Sequence, residues 1–318
     1  MFKIIPCSIL YMDFILIYPI ISALTVFSNQ YSLKEAEIEE NPIQFLFYSV
    51  SKCLSFIPFL IMKKRSKTKY KKNLTDKLVK QYKTTRYKRF RLILISSILD
   101  FSQACLSVMF PKDNNHWAFD ILVINFVSLL FLKTKLYKHH YFCLIIIIIS
   151  GVFLNIWDYC RKEIDFIKII MNYIKELLLS LQQCLDKYIM DKTYTSPYEL
   201  CLYNGLLNLC FSLAAFGVIE LCYKEFIKKI TKYFDQINYI QILFLFILSI
   251  SYLLFALCNY NSVKIYSPNF IINIFIIHEI YHSTFDNNKI RVYFNIAIGI
   301  IFIFLFLIFN EIIEINCF

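Results

Sequence analysis

Along this chain the apolar residues come in long blocks, and the polar ones crowd into the short intervals between them. Blocks of about 17 to 25 residues, several with hardly a charge, recur from one end to the other, each long enough to cross a hydrocarbon layer about 30 Å thick. They stand at about 4–28, 43–62, 92–110, 117–133, 140–157, 166–187, 198–222, 238–258, 268–284 and 292–311. Lipid offers the backbone no hydrogen bonds, so each block must satisfy its own peptide groups as a helix. The pattern predicts an all-α polytopic membrane protein with about ten transmembrane helices.

The sixth block differs from the others. Within KIIMNYIKELLLSLQQCLDK, the residues Lys168, Asn172, Lys175, Gln182, Gln183 and Asp186 recur at helical spacing and form one polar stripe. Such a stripe either lines a wet interior or keeps a helix on the membrane surface. A crossing preserves the charge alternation of the loops before it, and is the expectation for this block.

Composition narrows the class. The 318 residues are 58% hydrophobic and 18% charged, whereas a soluble domain has about a quarter charged, so a soluble enzyme is excluded. The N-terminal apolar run is too long for a signal-peptide core and has no small-residue cleavage site, which predicts a retained first helix. The eleven cysteines fall mostly inside apolar blocks with no C-x-x-C pair, the pattern of buried thiols and not of a disulfide framework.

A net charge of +11 would suggest nucleic acid, but 14 of the 34 Lys and Arg lie between Lys63 and Arg91. A basic run beside membrane spans is a topological signal and a contact for anionic lipid, so the expected partner is the bilayer and not nucleic acid. The loop SLKEAEIEENP carries four glutamates and one lysine, the next loop is the basic run, and KTKLYKHH is basic again. By the positive-inside rule, both termini face the cytosol. KEFIKKITKYFDQIN is basic on the side this scheme makes non-cytosolic, and its amphipathic spacing predicts a short helix lying along the interface.

Two halves are expected, 1–162 (with a basic cytosolic loop at 63–91) and 163–318. LYKHHYFCLIIIIISGVF, from Leu136, is echoed by NKIRVYFNIAIGIIFIF, from Asn288: a basic patch, Tyr-Phe, then an Ile-rich run with one glycine. Repeats of this kind are common in transporters, with the substrate site between the halves.

Several phrases together carry a resemblance. They are Phe131 to Lys135, Gly151, Asp186 to Tyr188, Ser196-Pro197, Asn204-Gly205 and NSVKIYSP from Asn261. In that order the chain resembles the drug/metabolite transporter superfamily, in its nucleotide-sugar-transporter-like solute carrier branch. It departs from some relatives at Lys52-Cys53, where they have an acidic residue before the cysteine, and in having only four glycines. The resemblance implies two inverted five-helix halves and a secondary transporter, not an enzyme, that moves a small anionic metabolite by alternating access. It implies no cofactor, an endomembrane location (Golgi, ER or vacuole), and leaves room for a homodimer.

Candidate solute-binding residues follow from cost. A charge at the bilayer centre is unfavourable by about 2.5 to 3.5 kcal/mol on insertion scales, so Asp13 and Asp100 should face a cavity or find a partner, and Gln103 lies near the face of Asp100. Lys52 would pair with Asp13 or Asp100, or bind an anion. Tyr203 and Asn204 would stack on and hydrogen-bond a ring. Lys264, matched to the family's lysine, is expected near a helix start, where both charges favour a phosphate or carboxylate. Glu199 is expected in the first turn of its helix.

One phrase supports an alternative. HEIYH at 278–282 puts His278 and His282 one helical turn apart with Glu279 between them, the pattern of an intramembrane zinc metalloprotease. The chain would still need a third ligand from Asp286, Glu311 or Glu314, and it lacks the downstream Leu-Asp-Gly phrase. With glycines only at 151, 205, 217 and 299, no dinucleotide fingerprint is possible, and no Walker A phrase appears.

Overall fold

The computed structural model describes residues 2–4, 21, 24–25, 28–29, 31–36, 43–69, 76–109, 117–133, 138, 140–146, 148–149, 166–193, 195–222, 226–265, 300 and 313–315. The described chain is almost all helical: α1 (Ile43–Cys53), α2 (Phe56–Lys69), α3 (Asp76–Met109), α4 (Trp117–Leu132), α5 (Phe166–Thr193), α6 (Pro197–Cys222), α7 (Phe226–Gln236) and α8 (Tyr239–Ile265). Two short strands, β1 (Phe2–Ile4) and β2 (Ile313–Ile315), pair antiparallel with Phe2 opposite Ile315. The predicted blocks at 4–28, 268–284 and 292–311 lie wholly or largely outside the described residues, and the second half of the block at 140–157 does too.

Four described segments are long and apolar enough to cross a membrane: Ile43–Ile61, Lys88–Ser107, Pro197–Leu221 and Tyr239–Lys264. The first is bent. Pro58 has no N–H to give to Leu54 and its ring crowds that carbonyl. The helix accordingly breaks at Leu54 and Ser55, where Ser55 N turns to Lys52 O at 3.1 Å before Phe59 N resumes regular bonding to Ser55 O at 3.0 Å.

Much of the basic run has helical backbone. α2 continues to Lys69 and α3 already begins at Asp76, so most of 63–91 is helical backbone. Lysine and arginine are good helix formers, and the run contains neither glycine nor proline to interrupt them. At the other end of the order, α7 is the expected short amphipathic helix. Tyr233 on it donates to the Ala36 carbonyl at 2.6 Å.

α3 packs along α5 and α6, α1 along α6 and α8, and α4 along α5. An apolar cluster of Ile93, Ile189, Met190, Leu200, Cys201, Ala256, Tyr260 and Val263 joins α3, α5, α6 and α8 near one end of the bundle. Elsewhere the usual burial order is inverted. Among the described residues, 26 buried side chains are polar or charged and 18 are hydrophobic. α6 turns Asn204, Asn208 and Ser212 inward and Leu206, Leu213 and Val218 outward. α5 does the same, with Lys175, Gln182, Gln183 and Asp186 inside and Ile170, Ile174 and Leu177 outside. A soluble bundle would place these faces the other way round.

Candidate functional site

The centre of the inverted interior is an ion pair. Lys52, on the last turn of α1, bonds through Nζ to Asp100 Oδ2 on α3, and each residue is 1% exposed. Helical spacing brings the surrounding groups to this point. On α3, Ser96, Ser97 and Asp100 share one face; on α6, Asn204 and Asn208 lie one turn apart on another. Asn208 Nδ2 donates to Asp100 Oδ2 at 2.5 Å, and Tyr48, one turn before Lys52, donates its hydroxyl to Asp100 Oδ1 at 3.3 Å. The Lys52 ammonium stands 4.0 Å from the centroid of the Tyr48 ring and 6.0 Å from that of Tyr260. Carboxylate oxygens and aromatic faces thus replace the water that this cation has lost.

A second set of bonds continues from the pair toward α5 and α8. Asn204 accepts from Ser97 Oγ at 2.7 Å and donates to Ser96 Oγ at 3.2 Å and to the Tyr260 hydroxyl at 2.6 Å. Ser96 in turn donates to Asp186 Oδ1 at 2.5 Å. Asp186 also bonds the Gln182 side chain one turn earlier on α5. Five helices therefore contribute to one polar network: α1, α3, α5, α6 and α8. Some of its capacity is unused. Among the described residues, Asn208 Oδ1, Gln182 Oε1, Gln183 Oε1 and Ser262 Oγ are buried with no hydrogen-bond partner.

At one end of α6 the network meets a separate charged contact. Ser196 caps the helix by accepting from Glu199 N at 3.1 Å, and Pro197 occupies the first helical position. Glu199 sits in the first turn as expected and pairs with Arg89 of α3, whose guanidinium lies 5.9 Å from the Tyr203 ring centroid.

The sequence candidates separate in space. Asp100 and Asn204 are in the network, and Lys52 pairs with Asp100, one of the two partners expected for it. Tyr203 is half-buried beside Arg89, and Gln103 is half-buried one turn beyond Asp100. Lys264 is exposed in the last turn of α8, its carbonyl accepting from Lys187 Nζ at 2.7 Å, and the start of the block expected from about 268 lies outside the described residues. The end of α8 carries negative partial charge, which favours the lysine itself. Asp13, His278, Glu279 and His282 lie outside the described residues. Sequence reasoning missed Tyr48, Ser96, Ser97, Asn208 and Tyr260. Only Asn208 left a usable signal, as an amide four residues after Asn204 on the same helical face.

No protein-family model matches this chain, and no curated protein matches it either.

Proposed function

We propose that this chain is a polytopic secondary transporter of drug/metabolite type, moving a small solute by alternating access. The observation that carries the reading is the inverted bundle: charged and amide side chains converge between helices whose outer faces are apolar. Ionisable groups inside a membrane bundle are costly, and in carriers they mark the solute or ion pathway. The four apolar segments support the membrane setting. α5 adds a fifth crossing, since its 28 residues extend about 42 Å and its apolar face points outward.

Two features favour the repeat architecture. Counting the apolar blocks of the sequence, α1 and α6 are the second and seventh, equivalent positions in a five-plus-five repeat. They pack against each other, as helices flanking a pseudo-twofold axis would. The buried asparagines and tyrosines beside Lys52 offer donors, acceptors and ring faces to a polar solute, and the carried solute is taken to be a small anionic metabolite of nucleotide-sugar-like chemistry.

The test begins with melting of the purified full-length protein in detergent against nucleotide sugars, nucleotides, amino acids and thiols. A true solute at a hundredfold excess over its Kd stabilises by about 2.7 kcal/mol and raises the melting temperature. The same compound should then exchange across reconstituted vesicles, and Asn204→Ala should slow that exchange. If no class of compound alters melting or crosses the vesicles, the carrier reading fails.

A further inference from the structure

Two carboxylates are buried in the polar network, and they differ in their company. Asp100 has the Lys52 ammonium. Asp186 is as deeply enclosed, 3% exposed, yet its bonded partners are the Ser96 hydroxyl and the Gln182 amide, both neutral. The described helices packed around it supply no second cation to pair with it. α3 presents Ser96 and Asp100, α6 presents Asn204 and Cys201, and α8 presents the Tyr260 hydroxyl. On α4, Ser128 meets Cys184 of Asp186's own helix at 3.3 Å. Lys52 on α1 is engaged with Asp100, and Lys187, the next residue along α5, turns away to the Lys264 carbonyl and to Asp191 at 3.6 Å. Among the described residues, no cation makes an ion pair with Asp186.

Charge bookkeeping points the same way. With Asp100 and Asp186 ionised and Lys52 protonated, the network carries one uncompensated negative charge among the described residues. An isolated ionised carboxylate is disfavoured by several kcal/mol in such surroundings, and the simplest neutralising species is a proton. We propose that Asp186 is a proton-binding site, whose carboxyl takes a proton from water when the network opens to one side and returns it to water on the other. The Ser96 hydroxyl, which bonds both Asp186 and Asn204, reports the proton to α6: it donates to an ionised Asp186 and is free to accept from a protonated one. The site deepens the carrier reading by making flux proton-linked, and rests on it for that role, but proton uptake is measurable with no solute present.

The experiment uses the full chain in phosphatidylcholine vesicles, followed by infrared difference spectroscopy as the medium moves between about pH 9 and about pH 5. A protonated-carboxyl C=O band should grow on acidification, disappear in Asp186→Asn, and persist in Asp191→Asn, which alters an exposed carboxylate on the same helix. Should Asp186→Asn fail to fold, Ser96→Ala and Asp186→Glu carry the test, because each should shift the band in frequency. A band indifferent to Asp186→Asn, or unmoved by the other two substitutions, overturns the proposal, as does the absence of any such band. Solute exchange without the band defeats the proton site alone; the band without exchange defeats the carrier reading alone.

Discussion

Gly205 of α6 lies directly against the backbone of Lys52 on α1. A Cβ built on Gly205 would stand 2.7 Å from Lys52 Cβ and 2.8 Å from both Lys52 C and Cys53 N. Those are main-chain and near-main-chain atoms, which cannot swing aside. The close approach also sets the depth at which Lys52 enters the network, so packing and electrostatics depend on one missing methyl group. Small residues at membrane helix contacts act in this way.

Gly205→Ala should therefore destabilise the protein by about 1–3 kcal/mol, the usual range for overpacking a fitted contact. Gly217 on the same helix is the matched control: it is exposed, and its added Cβ meets nothing within 4 Å. Gly217→Ala should leave stability unchanged or raise it by up to about 1 kcal/mol through helix propensity. Thermal unfolding in one detergent compares the two. Equal effects, with no loss at Gly205, would mean that Gly205 matters only as a helical glycine.

Lys52→Met should be among the most damaging single changes in the chain. It leaves Asp100 charged, enclosed and without its cation, a situation that costs about 3–5 kcal/mol in buried pairs. Removing the second charge as well, in Lys52→Met with Asp100→Leu, should recover a large part of the loss, because neither member of the pair is then left without the other. A double-mutant cycle on melting temperature reads the coupling directly. Two additive losses would show that the pair contributes little beyond its separate contacts.

How far the site is readable from sequence follows from where the signals are rare. A lysine, aspartate or asparagine inside an apolar block stands out, as Lys52, Asp100 and Asn204 do. The stripe of α5 is visible for the same reason, and Lys175, Gln182, Gln183 and Asp186 do turn inward. Tyr260 is one of 23 tyrosines, and serines occur throughout the chain, so their convergence depends on helix rotation and crossing, which no periodicity encodes. Helix ends are harder to read, because charge does not by itself mean loop. The run 63–91 remains mostly helical, and α8 runs seven residues beyond its predicted end at 258, carrying Lys264 into its last turn. The bend after Lys52 is written in Pro58, one turn beyond Leu54.

Asn204 joins three helices, so its loss should exceed that of any one of its partners. Asn204→Ala removes one hydrogen bond from each of Ser96, Ser97 and Tyr260 in a buried space, and should cost about 1–3 kcal/mol. Tyr260→Phe removes a single bond of 2.6 Å and should cost about 1 kcal/mol. Melting temperatures of the two variants rank them. If Tyr260→Phe proved the more damaging, the network would be held from α8 and Asn204 would not be its hub.

The crossing of α5 can be tested at Leu177, near the middle of the helix and on its outward face. If that face meets acyl chains, Leu177→Lys puts a charge near the bilayer centre and should disfavour insertion by about 2.5–3.5 kcal/mol. The variant should then be depleted from the membrane fraction and unfold early in detergent. Tyr188→Lys provides the contrast, since Tyr188 is also exposed but lies close to the end of the helix, where a long side chain can reach the headgroups. A helix lying on an aqueous surface would accept both lysines within about 0.5 kcal/mol. Tolerance at Leu177 would return the polar stripe of α5 to the membrane surface and take Asp186 out of the interior on which the proton site depends.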